Sequence, residues 1–83
     1  MNIEEIAGTT IRDEEVIKFP LSKNYNGFIT DANGNHIMDI RGWGRIQYAS
    51  GDEDTATALH EGIADWVVDT LNAEAARLKL SNM

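Results

Sequence analysis

The chain contains no cysteine and one proline, Pro20, in 83 residues. Without cysteine, neither a disulfide nor a thiolate zinc site can staple a fold of this size, and redox compartment is not encoded. Basic residues are scarce as well. Seven Lys and Arg stand against fourteen Asp and Glu, a formal net charge of −7, which argues against the electrostatic footprint of a general nucleic-acid binder and suits a basic partner. No apolar run approaches the ~20 residues needed to span a bilayer. Met1-Asn2-Ile3-Glu4-Glu5 has neither the basic region nor the apolar stretch of a signal peptide. The expectation is a soluble, cytoplasmic protein without membrane contact. At this length it should be a single domain, residues 1–83, burying about 60% of the unfolded chain's surface.

What is present begins with an acidic leader, residues 1–15, in which Ile3, Ile6 and Ile11 are scattered among Glu4, Glu5, Asp13, Glu14 and Glu15. It reads as loosely ordered, with one helical turn near Ile3 to Ile6. The run Val16 to Leu21 is β-branched and apolar enough for a strand that Pro20 confines to an edge or a strand end. Phe28 to Asp31 and His36 to Ile40 flank Ala32-Asn33-Gly34-Asn35. Asn-Gly tolerates the positive φ angles of a two-residue type I′ turn, so these residues predict a hairpin. Its register sets Asp31 opposite His36, Thr30 opposite Ile37 and Ile29 opposite Met38, with Tyr25, Ile29, Met38 and Ile40 on the core face. Arg45-Ile46-Gln47-Tyr48 alternates polar and apolar and reads as a further strand, Ile46 and Tyr48 extending that face. The sheet would occupy residues 16–48.

Ser50-Gly51-Asp52-Glu53 has the spacing of a capping box. Beyond it Ala56, Leu59, Ile63, Val67, Leu71 and Leu78, with Trp66 and Ala75 alongside, recur at three- and four-residue intervals and predict a helix over 52–80. Its last two turns should overhang a short sheet, and Gly62 should mark either close packing against that sheet or a bend. The fold class expected is α+β: an antiparallel meander of three to four strands on one long C-terminal amphipathic helix.

Most candidate chemistry has a plainer explanation. Asp31, Asn33, Asn35 and Asp39 alternate like calcium-loop ligands, but the loop's glycine would fall at His36 and its bidentate Glu at Gly42. A hairpin turn accounts for the same residues. His60-Glu61 opens like a zincin helix, yet position 64 is Ala. His60 with Glu61 or Asp65, or Asp31 facing His36, could form an imidazole–carboxylate pair, with no Ser or Cys nucleophile in motif context beside either. No catalytic residue, metal site or cofactor is therefore expected.

Two surfaces remain. Arg41-Gly42-Trp43-Gly44-Arg45 sets two guanidinium groups around an indole, residue types that anchor protein interfaces; the plainer role for Trp43 is to cover Phe28 and Ile37. On the helix, Asp54, Glu61, Asp65 and Asp69 follow one stripe at spacings of seven, four and four, and residues 49–83 carry seven acids against two bases. Like charges one turn apart do not favour a helix, so the stripe is either a solubilising face or an imitation of nucleic-acid phosphate aimed at a basic groove.

The stretch from Gly27 to Ala73, with Phe28-Ile29-Thr30-Asp31-Ala32-Asn33-Gly34-Asn35, Ile37-Met38-Asp39-Ile40-Arg41-Gly42-Trp43-Gly44 and Ile63-Ala64-Asp65-Trp66-Val67-Val68-Asp69-Thr70-Leu71-Asn72, resembles small uncharacterised accessory proteins of bacteriophages. Proteins of that kind include anti-CRISPR and other host-defence inhibitors, which commonly act by binding. The resemblance implies a non-enzymatic inhibitor working in the host cytoplasm. It transfers no site residue, because those inhibitors share no single motif. The expected partner is a protein with a basic surface, a nucleic-acid-handling complex, met by Asp54, Glu61, Asp65, Asp69, Arg41, Trp43 and Arg45. The alternative is a homodimeric assembly module, and a small hydrolase built on His60 ranks third.

Overall fold

The computed structural model describes residues 1–24, 27–42 and 44–79. It is an α+β fold: a short helix α1 (Ile3–Ala7), a two-stranded ribbon β1 (Thr10–Ile11) and β2 (Glu14–Glu15), a three-stranded sheet β3 (Ser22–Lys23), β4 (Phe28–Thr30) and β5 (His36–Asp39), a short helix α2 (Arg45–Ser50) and the long helix α3 (Glu53–Arg77). The larger sheet is antiparallel in the order β3-β4-β5. Its core is Phe19, Leu21 and Ile29 against Ala64, Val68 and Ala75 of α3. No helix among the described residues is long and apolar enough to cross a membrane.

The leader has more regular structure than its composition suggests. Asn2 and Glu5 form a capping box that starts α1, the Glu5 amide donating to Asn2 Oδ1 at 2.8 Å. Arg12 and Asp13, both at positive φ (54° and 67°), join β1 to β2, the backbone a type I′ turn requires. Ile3 and Ala7 pack against the main core, and Ile3 lies beside Leu71, Glu74 and Arg77. The end of α3 therefore does not overhang: Ala75 is fully buried.

The hairpin is present, but its turn is not the one expected. The Gly34 amide donates to the Asp31 carbonyl at 3.0 Å and the Asp31 amide to the Asn35 carbonyl at 3.0 Å, closing a three-residue loop with Gly34 at φ 82°. The Asp31 carboxylate decides this, because Oδ1 accepts from the amides of Asn33 and Asn35, both at 2.9 Å, and so favours a type I turn followed by a left-handed glycine. The extra loop residue shifts the register, so Thr30 pairs with His36 rather than Ile37. A bulge between Ile29 and Thr30 shifts it back, and Ile29 does face Met38. Ile37, expected on the opposite face, joins Met38 and Ile40 against the core. Tyr25 lies outside the described residues.

Three further expectations need correction. Val16 to Leu21 is not a strand. It makes isolated bonds rather than a ladder: Val16 to Thr9 and Ala32 to Lys18 through the backbone, the Lys18 amide to Asp31 Oδ2 at 3.2 Å, and the Leu21 amide and carbonyl to the Asn72 side chain at 2.7 and 2.8 Å. Arg45 to Tyr48 is not a strand either but most of α2, bracketed by Gly44 and Gly51, both at φ 77°. Tyr48 is accordingly 88% exposed. Finally, Ser50 closes α2, and the cap of α3 is Asp52, which accepts from the Thr55 amide at 2.7 Å.

The buried side of α3 is rotated from the one that the largest apolar residues suggest. Ala56, His60, Ala64, Val68 and Ala75 are buried, whereas Leu59 and Trp66 are exposed. Small residues fit because the helix lies close to the sheet: Gly27, at φ 84°, leaves room for His60, whose Cβ would sit 3.4 Å from any Cβ placed there. Gly62, in contrast, neither packs on the sheet nor interrupts the helix, and nothing lies within 4 Å of an added Cβ. Gly62→Ala should therefore raise the unfolding free energy by about 1 kcal/mol, checked by urea titration.

Candidate functional site

The exposed length of α3 carries the acidic stripe. Asp54, Asp65 and Asp69 are exposed and Glu61 is half-buried. Asp65 Oδ1 lies 3.0 Å from Lys23 Nζ, so the edge strand β3 neutralises the stripe near its middle. Asp54, Glu61 and Asp69 have no ion pair among the described residues. The neighbouring acids are committed elsewhere. Asp52 caps the helix, and its bonds from the Thr55 amide and hydroxyl hold its carboxyl below the usual range. Glu74 grips the Arg77 guanidinium, which lowers its own pKa and raises that of the arginine.

Of the glycine-flanked arginines, Arg41 is engaged within the chain. Arg41 Nε and Nη2 each lie 3.1 Å from an Asp39 carboxylate oxygen, and the guanidinium carbon is 4.3 Å from the centre of the Phe28 ring. This side-chain pairing is the main reason Asp39 sits below its ordinary range. Arg41 is thus tied down over the sheet and lines a polar groove of about 190 Å³ with Gln47, Glu53, Thr57 and His60. Of the acids on α3, Glu53 shares that groove. Arg45 is exposed at the start of α2. Trp43 lies outside the described residues.

The imidazole–carboxylate pairs weighed from the sequence do not assemble. His36 faces Thr30, and its ring tilts against Phe28 at 5.5 Å. His60 is 4% exposed beneath Gly27, with no hydrogen-bond partner for Nε2 among the described residues, while Asp65 turns to Lys23. Asp31 is buried and engaged by its own loop. Among the described residues no three His, Asp or Glu side chains gather where they could hold a metal ion.

The surface missed in the sequence is apolar. Leu59 is 48% and Trp66 68% exposed, and Trp66, Val67, Thr70 and Leu71 border a shallow apolar groove. The signal was available: Leu59, Ile63, Trp66, Thr70 and Ala73 are separated by four, three, four and three residues, a second stripe beside the alanine-rich one. The long helix therefore offers solvent both carboxylates and large apolar groups, chemistry suited to docking against another macromolecule. No family model, curated protein or solved structure matches the chain.

Proposed function

We propose that the chain is a non-enzymatic binding protein that inhibits a nucleic-acid-processing complex by laying the acidic side of α3 on that complex's basic surface. The observation that carries this reading is the pair Asp54 and Asp69. Both are exposed and free of ion pairs among the described residues, some 22 Å apart along the helix at 1.5 Å per residue. They stand in the half of the chain that holds most of the net negative charge. Carboxylates left unpaired attract a basic groove over several ångströms and discriminate against acidic partners. The resemblance to phage accessory proteins supplies the kind of target, a host-defence complex. Arg41 is a structural residue in this reading, since Asp39 and Phe28 already engage it.

Charge reversal tests it at residues that do not hold the fold together. Asp65 is unsuitable because a lysine there would face Lys23; Asp54→Lys with Asp69→Lys breaks no ion pair among the described residues. Tagged wild-type protein is expected to retain a nucleic-acid-binding protein from nuclease-treated bacterial lysate at low salt and to release it near 1 M, where the Debye length is about 3 Å. With the retained protein purified, the doubly reversed variant should bind it at least tenfold more weakly, on the order expected for losing two steering charges, and should no longer compete with its nucleic acid. Equal binding by wild type and variant at low salt would defeat the proposal.

A further inference from the structure

The second stripe on α3 is independent of the acidic one. Its residues Leu59, Ile63, Trp66, Thr70 and Ala73 alternate at four and three positions, the spacing that keeps one side of a helix against a partner helix. Leu59, Trp66, Thr70 and Ala73 are exposed and Ile63 is half-buried. This side is not the one that packs on the sheet, which runs through Ala56, His60, Ala64 and Val68.

We infer that this seam is the interface of a homodimer in which two α3 helices pack antiparallel. The occupant follows from charge. Asp52 caps α3 and Glu53 and Asp54 open it, while its other end carries Arg77, held by Glu74, with Lys79 just beyond, a net positive end. Antiparallel packing brings the acidic start of one copy to the basic end of the other and opposes the two helix dipoles, whereas parallel packing sets acids on acids. The seam also matches itself in that direction. Centred between Ile63 and Trp66, the arrangement places Ile63 of each copy on Trp66 of the other and Leu59 on Thr70. Asp69, beside the seam, then falls near Gly62 of the other copy, so no carboxylate opposes it. The seam from Leu59 to Ala73 is some 21 Å long at 1.5 Å per residue and about 10 Å wide, on the order of 200 Å², short of the roughly 800 Å² per partner of a stable interface. Association is therefore expected to be weak and to need a wide concentration series.

Sedimentation of the full chain over such a series, from about 1 to about 500 μM, is expected to show the 9.2 kDa mass rising toward twice its value. A mass that stays at 9.2 kDa across the series overturns the inference. Trp66→Glu should weaken association about thirtyfold, as for an interface anchor, with unchanged far-ultraviolet circular dichroism; Leu59→Lys provides a second disruption should the first variant misfold. Dimerisation undiminished in both would place the interface elsewhere and refute the seam. Because the chain has no cysteine, orientation can be read directly. Under mild oxidation, a mixture of Leu59→Cys and Thr70→Cys chains should form the crossed disulfide. Self-pairing of each variant, with no crossed product, would refute the antiparallel arrangement.

Discussion

Asp31→Ala is expected to lower the unfolding free energy by roughly 3 kcal/mol at neutral pH, the value of a charge-assisted hydrogen-bond cluster rather than a single neutral bond. Chains of this size have only about 4–12 kcal/mol in total. The carboxylate is 4% exposed. It accepts from the amides of Lys18, Asn33 and Asn35 and from the Asn35 side chain, so its loss releases both the hairpin loop and the segment that carries Phe19. Asp31→Asn should cost less, because one oxygen can still accept from Asn33 and Asn35. The pH dependence separates charge from shape. Burial raises the Asp31 pKa, but the amides of Asn35, Lys18 and Asn33 and the Asn35 side chain lower it further, leaving it below the ordinary 3.8. A depressed folded pKa means the stabilisation is complete above the unfolded value, near 3.9, and disappears as pH falls through the folded one. The stability gap between wild type and Asp31→Asn, followed by urea titration from neutral to acid pH, should therefore narrow below about pH 4. A gap independent of pH would mean that the carboxylate's charge contributes nothing.

Asn72→Ala should be of similar size, a loss of roughly 2–4 kcal/mol, because it strands two backbone groups at once. The Asn72 amide imitates a strand, its oxygen accepting from the Leu21 amide at 2.7 Å and its nitrogen donating to the Leu21 carbonyl at 2.8 Å. Among the described residues neither group has another hydrogen-bond partner. Asn72→Asp, nearly the same shape, keeps the acceptor but sets a carboxylate oxygen against the Leu21 carbonyl and should fare no better than Ala. Urea midpoints at equal slope would verify both. If Asn72→Asp matched wild type, the donor half of the pair would carry no weight.

Both residues show where sequence reasoning stopped. The Asn33-Gly34 signal located the hairpin, and the periodicity beyond Asp52 located α3, because both depend on neighbours within a few positions. The choice between type I′ and a three-residue loop depended on where the Asp31 carboxylate turned, and Asp31 also serves Lys18, thirteen residues away. Arg45 to Tyr48 is too short for periodicity to separate strand from helix; the glycines at 44 and 51 were the better guide. On α3, the apolar periodicity included Ala56 and Ala75, which are buried, but also placed Leu59 and Trp66 inward and passed over Ala64, yet the buried side was decided by how closely a helix can approach the sheet. Of the residues expected to bind a partner, Asp54 and Asp69 are exposed as a docking role needs. Asp65 and Arg41 hold partners within the chain, pairings that linear spacing cannot reveal.

The bond between Asn72 and Leu21 also orders events in time. It joins positions 51 residues apart, whereas α3 elongates on a scale of nanoseconds per residue and a hairpin closes within microseconds. The side chain can reach Leu21 only once both elements exist and the long intervening loop has closed, at an entropic cost that grows with loop length. Its contribution is therefore expected after the folding barrier, as a latch: Asn72→Ala should leave the rate of folding nearly unchanged and speed unfolding, which folding and unfolding rates across urea concentrations would check.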